Sequence, residues 1–158
     1  MGYGTTDHLI YGVYLDETQS QALRDGISRR LAAAPNSPVA EYLGIPGGRD
    51  PARVSMFELV EFLGDEDEAG IRVAMVAEDT HSTIHDNTFE EGFCHGFGIL
   101  LADKGYGAGG TSKEFKEAMA RGASQEQIAA FQERILPWLQ EAGLGGETPE
   151  LVTVSCTS

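Results

Sequence analysis

The chain has 158 residues and 17.0 kDa, a length that suits one domain burying about 70% of the surface its unfolded form exposes. Its 25 acidic and 11 basic side chains leave a formal net charge of −14 and a pI near 4.5, which argues against direct nucleic-acid binding. At 41% hydrophobic and 23% charged it is too apolar for a disordered acidic chain. No apolar run reaches the roughly 18 residues of a membrane span, and the polar start MGYGTTDH is expected to carry no secretory signal.

Residues 8–15 (HLIYGVYL) are β-branched and aromatic and read as a first strand. Asp16 is placed to cap a helix, with Gln19 three residues on completing a capping box. Leu23, Ile27 and Leu31 then recur every four residues as one apolar stripe. From Pro35 to Pro51 the prolines and glycines predict a loop, with one turn around Glu41–Leu43.

Residues 54–63 (VSMFELVEFL) read as a second strand and 71–77 (IRVAMVA) as a third, joined as a hairpin by the acidic tip GDEDEAG. Residues 78–91 are polar and irregular. A fourth strand, 92–101, places Phe93, His95, Phe97, Ile99 and Leu101 on one face. Gly92, Cys94, Gly96 and Gly98 fall on the other, a surface open to close approach by a helix or ligand.

Thr111 and Glu114 predict a capping box for a short helix through Met119, ended by Gly122, and Ser124 with Gln127 repeats the device. Ile128, Phe131, Ile135, Trp138 and Ala142 line the next helix, whose stripe passes through Pro137 and predicts a kink there. Gly143, Gly145 and Gly146 end it, and residues 151–156 form a last strand. The order β-α-β-β-β-α-α-β predicts a single α+β domain over 1–158. Its mostly antiparallel sheet has about five strands, with two or three helices on one face.

The charge is unevenly placed. Residues 1–53 carry 6 acids and 5 bases, residues 92–158 carry 8 and 5, and residues 54–91 carry 11 acids against Arg72 alone. Ten of the 14 net negative charges therefore fall in the middle segment. Such crowding destabilises a compact state by self-repulsion, so an interaction surface for a cation or basic partner is one reason to keep it; a solubilising surface is the other. The candidate partner-binding residues are Glu58, Glu61, Asp65, Glu66, Asp67, Glu68, Glu78, Asp79, Glu90 and Glu91. Cys94 and Cys156 do not make a disulfide framework and point to a reducing, cytoplasmic setting.

The same stretch holds His81, His85, Cys94 and His95 among carboxylates that include Asp86, side chains that bind zinc and other divalent metals. On a helix His81 and His85 would lie about 6 Å apart, but on extended chain roughly 13 Å, too far to chelate together. No H-E-x-x-H signature is present, and His95, on the apolar face of the fourth strand, fits a hydrogen-bonded core histidine better than a ligand.

Gly105, Gly107 and Gly110 match G-x-G-x-x-G between a strand and a helix, the setting of a nucleotide-binding loop. The helix behind it is short, no β-α-β unit is completed, and Lys113 is misplaced for a P-loop. An EF-hand reading of Asp65, Asp67 and Gly70 fails because Val76 stands where the bidentate Glu belongs. There is no G-x-S-x-G elbow, and adjacent Cys94 and His95 would point to opposite faces of a strand.

The leading expectation is a non-enzymatic module or inhibitor, without cofactor, whose acidic middle third docks on a basic partner. That partner is expected to be a nucleic-acid-binding protein, since carboxylate rows can stand in for phosphates. A phage or mobile-element anti-defence protein such as an anti-CRISPR, or an immunity protein, would be of this kind. The alternative is a metal-binding protein or metal-dependent hydrolase built on His81, His85 and His95. Nucleotide binding at the glycine loop comes third. The apolar stripe of 125–142 is core packing or, if exposed, a homodimer contact.

Overall fold

The computed structural model describes residues 5–54, 56–64, 70–76, 95–105 and 111–157. Strand β1 (Thr5–Tyr14) leads through Asp16 into helix α1 (Glu17–Ala33). The predicted capping box is present: the Asp16 carboxylate accepts the Gln19 N–H at 2.8 Å, and the Gln19 side-chain oxygen accepts the Asp16 N–H at 3.0 Å. Leu23, Ile27 and Leu31 are buried as their four-residue spacing requires.

The stretch expected as loop contains helix α2 (Pro38–Tyr42), capped by the Ser37 hydroxyl with Pro38 in its first turn, and a 3-10 turn (Pro51–Arg53) capped by Asp50. Residues 54–63, expected as a strand, instead build helix α3 (Met56–Gly64). The physical reason is periodicity. Glu58 and Glu61 stand three apart with the apolar pair Leu59–Val60 between them, which puts the two carboxylates on one side of a helix while Leu59 is fully buried. The hairpin expected between residues 54–63 and 71–77 therefore does not form.

Strand β2 (Val73–Val76) pairs antiparallel with β3 (Gly96–Gly105). Helix α4 (Ser112–Arg121) follows with its Thr111/Glu114 box. Helix α5 (Gln125–Ala130) opens on the Ser124/Gln127 box. A π-helical segment (Phe131–Ile135) joins α5 to helix α6 (Leu136–Glu141). Pro137 lacks an N–H and crowds the preceding turn. The expected kink takes the form of that π segment, in which the Leu136 N–H reaches back five residues to the Phe131 carbonyl. The helix ends in a Schellman motif: Gly143, at φ +77°, donates to Gln140 O, and Leu144 donates to Leu139 O. Strand β4 (Glu150–Thr157) closes the order.

Among the described residues the sheet has four strands, in the order β2-β3-β1-β4, every neighbour antiparallel. β1 and β2 run in the same direction with β3 between them, and β3 and β4 do so with β1 between them. Two interleaved β-α-β units of this split kind give the β-α-β-β-α-β connectivity of ferredoxin-like folds, with α2 and α3 added to the first crossover. The α+β class thus stands, with four strands among the described residues and more helix than the sequence suggests.

One sheet face contributes Val13, Val73, Met75, Phe97 and Ile99 to a core completed by Leu23, Ile27, Leu31, Leu59, Phe131, Ile135, Trp138 and Leu139. A smaller cluster of Leu9, Phe115 and Ala118 seats α4. Ile10, Val76 and Val154 are buried on the opposite face. Of the expected glycine face, Gly92 and Cys94 lie outside the described residues; Gly98 lies directly opposite Gly12 and is approached by the β1 backbone, and Gly96 by the Val154 and Ile10 side chains.

Helices α1 and α6 meet at Gly26. A Cβ added there would lie 2.9 Å from Ala142 Cα and 3.0 Å from Ala142 Cβ. Next to it the Arg29 guanidinium donates to Glu141 O at 2.7 Å, and the Arg30 guanidinium lies 4.0 Å from the centre of the Trp138 ring. Gly26→Val is expected to lower stability by about 2 kcal/mol through overpacking of this crossing. Chemical denaturation would show it as a lower midpoint, and an unchanged midpoint would contradict the contact.

Candidate interaction surface

Of the ten acidic residues singled out from the sequence, Glu58 and Glu61 lie among the described residues. Both are on α3, Glu61 exposed and Glu58 half-buried. Both guanidinium Nη atoms of Arg49 bond the Glu58 carboxylate, Nη2 to Oε1 at 2.9 Å, in a two-pronged ion pair. Arg49 Nη1 also donates to Leu43 O at 3.2 Å, so one side chain ties the end of α2 to α3. Asp65, Glu66, Asp67, Glu68, Glu78, Asp79, Glu90 and Glu91 lie outside the described residues, as do Asp86, His81, His85, Cys94, Gly107 and Gly110.

The described residues hold all 11 Lys and Arg and 16 of the acids, a net of −5. The other nine acids, from 65–68 and 78–91, stand in two sequence segments without a single basic residue. In sequence those segments stand on either side of β2, with Ala69, Gly70, Ile71 and Arg72 between the first and the strand, and β2 is an edge strand of the described sheet.

His95 sits at the start of β3. Its N–H donates to Val76 O at 2.9 Å and its carbonyl accepts the Leu15 N–H at 2.7 Å. Its half-buried ring stacks on Tyr14, with centres 6.1 Å apart. Among the described residues no group of three His, Cys, Asp or Glu side chains is placed to hold a metal ion. Gly105 ends β3 ahead of the glycine loop, and β3 has only antiparallel neighbours, so the frame of a parallel dinucleotide-binding β-α-β unit is not formed there. The stripe of α5 to α6 faces inward, with Phe131, Ile135 and Trp138 in the core.

A polar constellation that sequence reasoning missed spans β1, β3 and β4. His8 Nδ1 lies 2.6 Å from Asp103 Oδ1. The Ser155 hydroxyl donates to Asp7 at 2.6 Å, and Lys104 Nζ stands 3.8 Å from the same carboxylate. A bulge makes these pairs. Leu9 pairs with Ala102 but Ile10 pairs with Leu100, leaving Leu101 as an extra residue. Without that residue Asp7 would face Asp103, a like-charge pair. With it, Asp7 faces Lys104 and His8 faces Asp103. Because Asp7 and His8 are successive in a strand, the two pairs lie on opposite sheet faces, so Ser155 and His8 do not form a catalytic relay. The sequence signal for these pairs is the register alone.

No protein-family model, curated protein or solved structure matches the chain. Among the described residues no helix is long and apolar enough to cross a membrane.

Proposed function

We propose that the protein is a non-enzymatic acidic docking module that captures a basic protein surface through its middle third. One observation carries this reading: nine carboxylates stand in two segments free of Lys and Arg on either side of β2, and Arg72 is the single Lys or Arg between them. Charge of one sign gathered in this way steers a complementary partner and speeds its association. Among the described residues Glu58 is paired with Arg49, and Glu61 is exposed on α3, the helix that precedes the 65–68 segment in sequence.

A nucleic-acid-binding protein is the partner class that fits best, because its basic groove is built for rows of phosphates that carboxylates can mimic. An antagonist of a nucleic-acid-guided defence of the anti-CRISPR kind, or an immunity protein, acting in the cytoplasm, is the role in which such a module would serve. The test is capture of the partner from the source cell, followed by affinity measurement over a series of salt concentrations. Affinity is expected to fall steeply with salt. Replacing Asp65, Glu66, Asp67 and Glu68 with lysine is expected to weaken capture by about 30-fold or more with the fold retained. Capture at undiminished affinity by that variant would sink the reading.

A further inference from the structure

We propose that Tyr42 and Phe62 form an aromatic platform on which the basic partner seats an arginine side chain. The proposal rests on the docking reading above and supplies its anchor point. Tyr42, the last residue of α2, is 56% exposed, the most exposed large apolar side chain among the described residues. Its ring centre lies 5.2 Å from that of Phe62 on α3, tilted by 49°. Glu41 and Glu61 precede the two aromatics in sequence, and both are exposed.

The platform is fixed before any partner arrives. Arg49 holds Leu43 O at the end of α2 and Glu58 on α3, one turn before Phe62, so a single guanidinium sets the spacing of the two ring-bearing elements. At Gly64 α3 runs into the Asp65–Glu68 segment, so the aromatics adjoin the densest run of acid in sequence.

Charge complementarity selects the occupant. A guanidinium is planar and weakly hydrated, so it stacks on an aromatic face while its N–H groups fork onto flanking carboxylates. An ammonium is a compact, strongly hydrated point charge that gains the carboxylate attraction but less of the stacking. A ring pair on two elements that also carry the exposed Glu41 and Glu61 therefore discriminates arginine from lysine, which an acidic surface alone does not. The chain makes the same contact internally, between Arg30 and Trp138.

The probes are fluorescently labelled octa-arginine and octa-lysine peptides, followed by anisotropy at about 0.1 M salt, where exposed charges more than about 10 Å apart are screened. The parent protein is expected to bind octa-arginine about fivefold tighter than octa-lysine. Tyr42→Ala and Tyr42→Leu should abolish that preference by weakening octa-arginine binding alone, and Tyr42→Phe should keep it. Circular dichroism confirms the fold of each variant, and Tyr42→Leu retains the apolar bulk if Tyr42→Ala perturbs α2. No arginine preference in the parent, or a preference that survives Tyr42→Leu, overturns the platform. The quadruple lysine variant at 65–68 separates the two readings, since it should weaken both peptides. If it weakens neither, the docking reading falls, whatever Tyr42 does.

Discussion

Gly98→Ala is expected to lower stability by about 3 kcal/mol or more, and Gly12→Ala to do the same. The two glycines face each other in the central pair of strands. A Cβ on Gly98 would lie 2.4 Å from Tyr11 O and 2.8 Å from Gly12 Cα. One on Gly12 would lie 2.2 Å from Phe97 O and 2.6 Å from Gly98 Cα. These obstacles are backbone atoms in the middle of a sheet, so relief means separating β1 from β3 and not turning a side chain. Thermal unfolding should show the melting temperature down by about 10 °C, given about 3 °C per kcal/mol at this chain length. Gly146→Ala is the control, since a Cβ there meets nothing within 4 Å. Loss of less than about 1 kcal/mol at Gly98 would contradict the close approach of the two strands.

Phe131→Ala is expected to cost about 3–5 kcal/mol, the range for removing a buried aromatic ring. Phe131 is fully buried, meets Tyr11 of β1 edge-on at 5.6 Å, and begins the π segment. It couples the helix layer to the central strand, and the cavity left by its loss has a sheet for a floor and cannot close easily. Phe131→Leu fills most of the space and should cost no more than about 1.5 kcal/mol. In urea, both variants should shift the midpoint at unchanged slope, in that order. Equal midpoints for the two would show that ring volume is not what Phe131 supplies.

What could be read from residues alone was what is local. Asp16 with Gln19, Thr111 with Glu114 and Ser124 with Gln127 each satisfy their own helix end within three residues, and all three caps are present. Ser37-Pro38 carried the same kind of signal for α2 and was overlooked among the surrounding glycines and prolines. The 54–63 segment went wrong because its Val, Phe and Leu content suggested a strand while the three-residue spacing of Glu58 and Glu61 already described a helix. The glycines of 92–98 announced a close approach, but not that the approaching group would be another strand. That depends on register, as does the meeting of His8 with Asp103, which the one-residue bulge at Leu101 settles. Of the proposed interaction surface, charge could be counted along the chain, whereas the Tyr42–Phe62 contact joins residues 20 positions apart and needed α3 to be a helix.

The sheet order has a kinetic consequence. Among the described strands β1 comes first in the chain, yet none of its described partners precedes residue 96: Val13 meets Phe97, and Leu9 meets Thr153. The central strand must therefore wait, while the chain emerges, for partners about 85 to 150 positions downstream. Long loops have to close before those contacts reward them, and chains built this way fold more slowly than helical bundles of similar size. During that interval Leu9, Ile10 and Val13 are exposed together, and the acid-rich middle third leaves the ribosome before the sheet exists. Like charges on that segment would oppose the association of unfinished chains during this interval, an effect that needs no folded surface.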